Sequence, residues 1–261
     1  MKLRVTLFQQ DLAWHDAAAN RERFGELLAP LAGETDLIVL PEMFTTGFSM
    51  DVDKLAEPVN GPTTRWLEDS ARALDAAITG SVITQDGGHF YNRMLWAAPD
   101  GEIRHYDKRH LFRMAGEHHY YTPGAAAPLC VEWRGFRVCP LVCYDLRFPV
   151  YSRRRPGLEY DLLLYVASWP GVRREAWRTL LRARAIENQA FVVGVNRIGR
   201  DGKGIDYTGD SAALDFVGET LAELDAQPAV RTVALDGAAL RAFRERFPAH
   251  LDADGFTLDA S

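Results

Sequence analysis

Two short apolar runs, LRVTLF at residues 3–8 and LIVL at residues 37–40, flank the stretch AAANRERFGELLAPL at residues 17–31. Both runs have the length and composition of buried strands. Between them, apolar side chains recur at helical spacing, at Phe24, Leu27, Leu28 and Leu31. A strand, a helix and a second strand in this order predict a parallel βαβ unit. We therefore expect an α/β protein that opens with this unit.

Farther along the chain, turns separate runs that have the composition of strands. The segments 77–83, 91–98 and 103–106 are separated by DGG and PDG, and turns of this kind join antiparallel strands. The sheets therefore cannot be purely parallel. Later strands are predicted over 137–142, 162–166, 191–195, 212–214, 220–224 and 230–235, and helices over 63–74, 173–188 and 238–247. Since no repeat or linker divides the chain, we predict a single domain over residues 1–261.

The overall charge limits the classes of partner. The 261 residues include 36 acidic and 30 basic side chains, which gives a formal charge of −6 and argues against a surface that binds nucleic acid. No stretch approaches the roughly 18 apolar residues that span a bilayer, and no signal-peptide pattern follows MKLRVTLFQQ. We expect a cytoplasmic protein with neither a nucleic-acid nor a membrane partner.

The three cysteines, Cys130, Cys139 and Cys143, are an odd number without C-x-x-C spacing, so neither a disulfide framework nor a structural zinc site is indicated. Cys143 follows the apolar run RVCPLV and precedes YDLRFP, where Asp145 and Pro149 predict a sharp turn into a helix. Open α/β sheets place reactive groups at such strand ends, because the next backbone N–H groups can receive negative charge. Cys143 is thus a candidate nucleophile. A buried structural cysteine is the alternative there, and it is our interpretation of Cys130 and Cys139.

Two charged residues occupy similar positions after strand-like runs. Glu42 follows LIVLP, and a carboxylate at the edge of an apolar environment is a candidate base for a thiol proton. Lys108 lies in HYDKRHLF, just after the strand predicted over 103–106, and is a candidate cation for a tetrahedral intermediate. The alternatives are a solvated loop acid or helix cap for Glu42 and an ordinary surface lysine for Lys108.

Two further clusters invite a cofactor interpretation, which their spacing does not support. His105, His110, His118 and His119 match no zinc pattern, and no H-E-x-x-H is present. The glycine-rich run GRDGKGIDYTGDS at residues 199–211 lacks the spacing of a phosphate-binding loop, and we interpret it as a loop that leads into a strand. We expect no metal and no organic cofactor.

Seven segments together resemble one known family. They are VLPEMFTTGF, YDKRHLF, GEHHYYTPG, LVCYDLRFP, YVASWP, ARAIENQAFVVGVNRIG and YTGDS. In this order they resemble the nitrilase superfamily of carbon-nitrogen hydrolases over nearly the whole chain, and most of all its bacterial omega-amidase branch. That branch hydrolyses the terminal amide of 2-oxoglutaramate and related ω-amides of dicarboxylic acids. The resemblance implies a four-layer α-β-β-α sandwich of two mixed sheets.

The resemblance also implies roles for individual residues. Glu42 matches the general base, Lys108 the catalytic lysine and Cys143 the nucleophile. Glu117 matches a second glutamate that positions the lysine and the substrate amide, and the backbone N–H of Tyr144 is implied as a second oxyanion donor.

Three more residues match the substrate pocket of the family. Arg147 matches an arginine that meets the distal carboxylate of acidic ω-amides, although a structural arginine paired with Asp145 or Glu187 is an alternative. Phe48 and Trp169 match aromatic walls, and Phe48 replaces a tyrosine found in some relatives.

The implied assembly is a homodimer or a larger even homo-oligomer that associates through helices beside the nucleophile. Two alternatives to an ω-amidase remain. One is a nitrilase or N-carbamoyl hydrolase with the same Glu-Lys-Cys triad, and the other is a catalytically silent nitrilase-like interaction protein.

Overall fold

The computed structural model describes residues 1–125 and 127–258. The strands in chain order are β1 (Lys2–Gln9), β2 (Leu37–Val39), β3 (Glu57–Pro58), β4 (Ala77–Asp86), β5 (His89–Ala97), β6 (Ile103–Asp107), β7 (Val131–Trp133), β8 (Phe136–Val142), β9 (Leu162–Ala167), β10 (Phe191–Asn196), β11 (Ile198–Arg200), β12 (Asp206–Thr208), β13 (Ala212–Leu214), β14 (Thr220–Glu223) and β15 (Ala229–Asp236). The α-helices are α1 (Ala17–Leu28), α2 (Val52–Leu55), α3 (Pro62–Leu74), α4 (Pro149–Ser152), α5 (Arg174–Asn188) and α6 (Gly237–Arg246).

Most of the strands form two mixed sheets. The first has the order β15-β1-β2-β4-β5-β6, in which β1, β2 and β4 are parallel and the remaining pairs on this path are antiparallel. The second has the order β14-β13-β10-β9-β8-β7, in which β8, β9 and β10 are parallel. The parallel strands lie at the centre of each sheet. Side chains that directly follow these strands therefore lie at the edge of the sheet formed by the carboxyl ends of the strands.

The two sheets pack face to face, with helices outside. Alternating residues of β2 divide between two cores: Leu37 and Val39 belong to the core between the sheets, whereas Ile38 belongs to the core under α1 and α3. Trp177 and Leu181 of α5 pack into the core on the second sheet. The result is the predicted four-layer α-β-β-α sandwich.

Close packing of α5 depends on Gly194 in β10. A Cβ atom at Gly194 would lie 2.6 Å from a Leu181 methyl carbon and 2.8 Å from the Trp177 ring. A larger residue there would push α5 away from the second sheet.

The sequence predicted most of the longer elements to within one or two residues, but it missed the short elements α2, β3 and β7, and the predicted strand over 77–83 ends three residues before β4 does. Two further regions also differ from expectation. The expected helix over 17–31 ends in a 3-10 turn, Ala29–Leu31, which contains Pro30. The run at 199–211, interpreted as a loop, instead contributes to a small hairpin in which β11 pairs with β12. In the part of the chain that the structure describes, no helix is both long enough and apolar enough to cross a membrane.

Candidate active site

Cys143 directly follows β8 and has a left-handed backbone conformation, with φ of 46°. Such values are uncommon outside glycine, so the surroundings must hold this turn in place. The fully buried Asp145 carboxylate does so. It accepts hydrogen bonds from the backbone N–H groups of Val142 (3.0 Å) and His110 (3.1 Å) and from the Tyr106 hydroxyl (2.9 Å). The Cys143 side chain is thereby held at the carboxyl end of β8.

The chain after this turn forms a 3-10 helix, Cys143–Arg147. The first N–H groups of a helix have no acceptor within it, and Tyr144 lies in this first turn. Its N–H is therefore suitably placed to meet negative charge that develops beside the Cys143 sulfur. The Tyr144 ring packs against Phe112 and Phe148, at centroid distances of 5.0 and 5.1 Å.

Glu42 follows β2 closely, and its side chain is completely buried rather than being solvated. Its Oε1 accepts hydrogen bonds from Lys108 Nζ at 2.9 Å and from Asn92 Nδ2 at 2.8 Å. Its Oε2 accepts the backbone N–H of Ser168 at 2.8 Å. Because Ser168 follows β9 of the second sheet, the Glu42 carboxylate connects the two sheets.

Lys108 is also completely buried and lies between two carboxylates. Its Nζ is 2.9 Å from Glu42 Oε1 and 3.0 Å from Glu117 Oε2. Glu117 is fully buried as well and accepts a further hydrogen bond from the backbone N–H of Phe112. Lys108 is therefore not an ordinary surface lysine, and the structure brings it together with both glutamates.

The charges in this cluster shift the pKa values of its members. Burial alone would lower the pKa of Lys108, but the negative charges of Glu117 and Glu42 outweigh burial and raise it, so that the ammonium form persists. Burial raises the pKa of Glu117; Lys108 opposes this rise and the charge of Glu42 adds to it. Lys108 is thus the cation that allows two carboxylates to share a dry site.

We predict that Lys108→Met destabilises the protein by about 3–5 kcal/mol near neutral pH, because two buried carboxylates lose their counter-charge. A carboxyl whose pKa is raised in the folded state stabilises that state at acid pH, and this stabilisation is lost as the pH rises through the folded pKa. The pKa of Glu117 is already raised by burial, so the deficit should shrink in acid and grow toward neutral pH. Urea unfolding of the wild type and of Lys108→Met at several pH values measures this difference in free energy of unfolding.

The matched control is the double variant Lys108→Met/Glu117→Gln, which removes one of the two like charges. It should recover part of the lost free energy of unfolding. If Lys108→Met unfolds at the wild-type urea concentration at every pH, the ammonium does not hold the two carboxylates together.

The Cys143 thiol is kept protonated by its surroundings. Burial raises its pKa, and the charge of Glu42 together with a hydrogen bond to Glu42 raises it further, while Lys108 lowers it only in part. Lys108 thus acts in the direction that favours the thiolate, but burial and Glu42 outweigh it. Such a thiol needs a base before it can act as a nucleophile, and the Glu42 carboxylate lies within hydrogen-bond reach of it.

A cavity of about 320 Å³ opens above this cluster. Its walls include six of the predicted site residues, Phe48, Lys108, Cys143, Tyr144, Arg147 and Trp169. Glu42 and Glu117 lie behind Lys108 instead of lining the wall. The Phe48 ring centroid is 5.2 Å from Lys108 Nζ, which gives the ammonium an aromatic face on the cavity side.

Arg147 is exposed on the outer wall, with its Cζ 5.0 Å from the centroid of the Trp169 ring. The two acids considered as structural partners have other contacts. Asp145 binds the turn described above, and Glu187 pairs with Arg153 at 3.0 Å and Arg184 at 2.9 Å. Within residues 1–125 and 127–258, Arg147 makes no ion pair with a carboxylate.

The other two cysteines differ from one another. Cys139 is buried in β8, as expected, and burial raises the pKa of its thiol. Cys130 is exposed and precedes β7, so the interpretation of Cys130 as a buried structural residue is wrong. β7 starts one residue after Cys130, and it is Val131, the first residue of that strand, that is buried.

Sequence reasoning did not identify several residues that contact the cluster. Asn92 donates hydrogen bonds to both glutamates, and Ser168 donates its backbone N–H to Glu42. Asp145 was predicted only as a turn residue; its carboxylate and His110 hold the turn at Cys143, with His110 Nδ1 2.7 Å from Asp145 Oδ1. Ser168, Asp145 and His110 lie inside the quoted family segments, which was an available signal, whereas Asn92 lies outside them.

The fold and this cluster define a class of protein. A family model described as carbon-nitrogen hydrolase matches residues 4–245. The chain belongs to the carbon-nitrogen hydrolase family, as the sequence predicted. The solved structure of XC1258 from Xanthomonas campestris is described as a CN-hydrolase superfamily protein with an arsenic adduct in the active site. It is 52% identical to this chain, has a TM-score of 0.97, and the match covers 99% of this chain and 100% of that one.

Two relatives with described activities are similar over almost their entire length. Omega-amidase YafV of Yersinia enterocolitica is 51% identical over 257 residues, which is 98% of each chain. The 2-oxoglutaramate amidase of Bacillus subtilis is 31% identical over 251 residues, which is 95% of this chain and 96% of that one.

Proposed function

We propose that this protein is an ω-amidase, a thiol hydrolase that converts the terminal amide of small ω-amides of dicarboxylic acids to a carboxylate and ammonia. The observation that carries the proposal is the buried cluster of Glu42, Lys108 and Cys143 at the floor of a cavity with Arg147 on its outer wall. The similarity to an omega-amidase and to a 2-oxoglutaramate amidase supports substrates of the 2-oxoglutaramate type.

In the first half of the reaction, Glu42 accepts the proton of the Cys143 thiol while the sulfur attacks the amide carbonyl carbon. Lys108 Nζ and the Tyr144 N–H stabilise the oxyanion. When the tetrahedral intermediate collapses, the carbon-nitrogen bond breaks and the leaving nitrogen takes the proton from Glu42. Ammonia departs and a thioester remains on Cys143. Glu117 acts here through Lys108, whose Nζ it holds in place.

In the second half, Glu42 accepts a proton from water, and the resulting hydroxide attacks the thioester carbonyl. The same two donors stabilise the second oxyanion. The carbon-sulfur bond breaks, Cys143 recovers its proton from Glu42, and the carboxylic acid formed loses its proton to solvent as it leaves as the carboxylate. The cycle is ping-pong, and its proton transfers use Glu42, Cys143 and water.

The outer cavity wall favours an acidic substrate. Arg147, Arg173 and Lys203 all line it, and Asp201 is the acid among the lining residues described. Asp201 is occupied, because it accepts hydrogen bonds from the Tyr207 hydroxyl at 3.0 Å and from the Lys203 backbone N–H at 2.9 Å. The excess positive charge suits a carboxylate at the end of the substrate opposite the amide.

We predict that Arg147→Lys lowers kcat/KM for glutaramate, the monoamide of glutaric acid, by an amount equal to about 1–3 kcal/mol. The lysine keeps the charge but cannot donate two parallel N–H groups to one carboxylate. Pentanamide has the same length but no carboxylate, so its hydrolysis should change much less. Ammonia release measures both substrates in both proteins.

Equal losses on glutaramate and pentanamide would show that Arg147 is structural. The same assay tests the proposed function, with 2-oxoglutaramate first in the panel of ω-amides. Absence of ammonia release from every ω-amide with a distal carboxylate, together with turnover of nitriles or N-carbamoyl amino acids, would overturn it.

We further propose that residues 1–261 act as one catalytic domain, since the two sheets share one core and both contribute to the site. We propose a homodimer or larger even homo-oligomer that uses the surface of α4 and α5, where Val150 and Ile186 are each 52% exposed. The three free cysteines, one of them exposed, fit a reducing cytoplasmic location.

A further inference from the structure

Asn92 lies in the middle of β5, on the side of the first sheet that faces the catalytic cluster. It is 1% exposed. Its Nδ2 donates to Glu42 Oε1 at 2.8 Å and to Glu117 Oε1 at 3.2 Å, and its backbone carbonyl accepts the N–H of Lys108 at 3.0 Å. A single residue therefore contacts three members of the cluster.

The stability of β5 does not explain why an asparagine occupies this position. Asparagine is disfavoured within strands, and Asn92 Oδ1 is buried with no hydrogen-bond partner among the described residues. An unpartnered buried carbonyl oxygen is costly. The amide must nevertheless turn its nitrogen toward the glutamates, because both of the facing atoms are acceptors.

We propose that Asn92 is a positioning residue that holds the two glutamates ionised and leaves Glu42 Oε2 as the oxygen that receives the Cys143 proton. Glu42 Oε1 already accepts two hydrogen bonds, from Lys108 Nζ and from Asn92, whereas Oε2 accepts the backbone N–H of Ser168. An amide N–H can donate but cannot accept, so a proton on either facing Oε1 would collide with it.

A neutral donor suits this position better than a charged one. The cluster already contains two carboxylates and one ammonium, so a second ammonium would compete with Lys108 and a third carboxylate would repel the other two. Asn92 adds hydrogen bonds to both glutamates without changing the charge. This inference rests on the proposed function, because the role of Glu42 Oε2 is to take the thiol proton in that reaction.

The test compares Asn92→Ala, which removes the donor, with Asn92→Asp, which keeps the shape but replaces the donor by an oxygen. Both should lower kcat/KM for 2-oxoglutaramate by about tenfold or more, and both should move the acidic limb of its pH profile upward by about one pH unit. Asn92→Asp should be at least as impaired as Asn92→Ala. Asn188→Ala is the control, since Asn188 is 2% exposed and bonds Arg184 and Arg154 away from the cluster.

A residue that only filled space would behave differently. Asn92→Asp would then stay within about twofold of the wild type, and the acidic limb would remain in place in Asn92→Ala; either result overturns the proposal. The pH dependence of Cys143 alkylation by chloroacetamide gives a second readout, which needs no substrate. If the wild type releases no ammonia from ω-amides, the proposed function fails, while a shifted alkylation profile in Asn92→Ala still supports the role of Asn92.

Discussion

Replacing Cys143 with alanine should lower turnover of ω-amides by about 10⁴-fold or more while leaving the fold intact. In the proposed reaction the Cys143 sulfur forms the covalent bond to the substrate, so its removal should leave no group that can take its place. Cys139 lies inside β8 and Cys130 lies on the surface. Neither is among the described residues that line the cavity. Steady-state ammonia release measures the loss, and circular dichroism with thermal unfolding checks the fold.

Cys139→Ala provides the matched control for this change. Cys139 is also buried, lies in β8 and loses the same atom. We expect Cys139→Ala to reduce stability modestly, by about 1 kcal/mol, while kcat stays near the wild-type value. Activity that survives in Cys143→Ala and disappears in Cys139→Ala would reverse the assignment of the nucleophile.

Glu42→Gln should lower kcat/KM for amides by about 10²–10⁴-fold, because in the proposed reaction the same carboxylate accepts the thiol proton and delivers it to the leaving nitrogen. The change is nearly isosteric, but it replaces one of the two carboxylate oxygens by an amide nitrogen. Lys108 would then retain Glu117 as its charged partner. The loss should appear in kcat as well as in kcat/KM, since hydrolysis of the thioester also needs the base.

An activated ester separates these two duties of Glu42. The p-nitrophenolate of mono-p-nitrophenyl glutarate leaves without a proton, so the first step should be less impaired for this ester than for glutaramate. Deacylation should remain slow, and one equivalent of p-nitrophenolate should appear before turnover stalls. Equal losses on ester and amide, with no accumulated acyl-enzyme, would argue that Glu42 only holds Lys108.

Sequence reasoning located much of this site because its main residues follow strands. Glu42, Lys108 and Cys143 come soon after β2, β6 and β8, and apolar runs reveal such strands. The family segments added Glu117 and the cavity residues. The distances within the cluster were not predictable, because they depend on how the two sheets pack and on the N–H that Ser168 brings from the second sheet.

The position of Asn92 in the site could not be predicted from the sequence pattern. In the sequence it is one polar residue in a predicted strand, and only its position opposite both glutamates distinguishes it. The raised pKa of the Cys143 thiol likewise depends on burial and on the charge of Glu42. Both cases depend on contacts between segments that are distant in the chain.

The most direct measurement is acid quenching of the enzyme during turnover of 2-oxoglutaramate, followed by mass mapping of the peptides. We expect the acyl group of the substrate on the peptide that contains Cys143, bound as a hydroxylamine-sensitive thioester, at higher occupancy in Glu42→Gln and absent in Cys143→Ala. Hydrolysis of 2-oxoglutaramate by Cys143→Ala at the wild-type rate, or an acyl group carried by Cys130 or Cys139 instead, would contradict the assignment of Cys143 as the nucleophile of an ω-amidase.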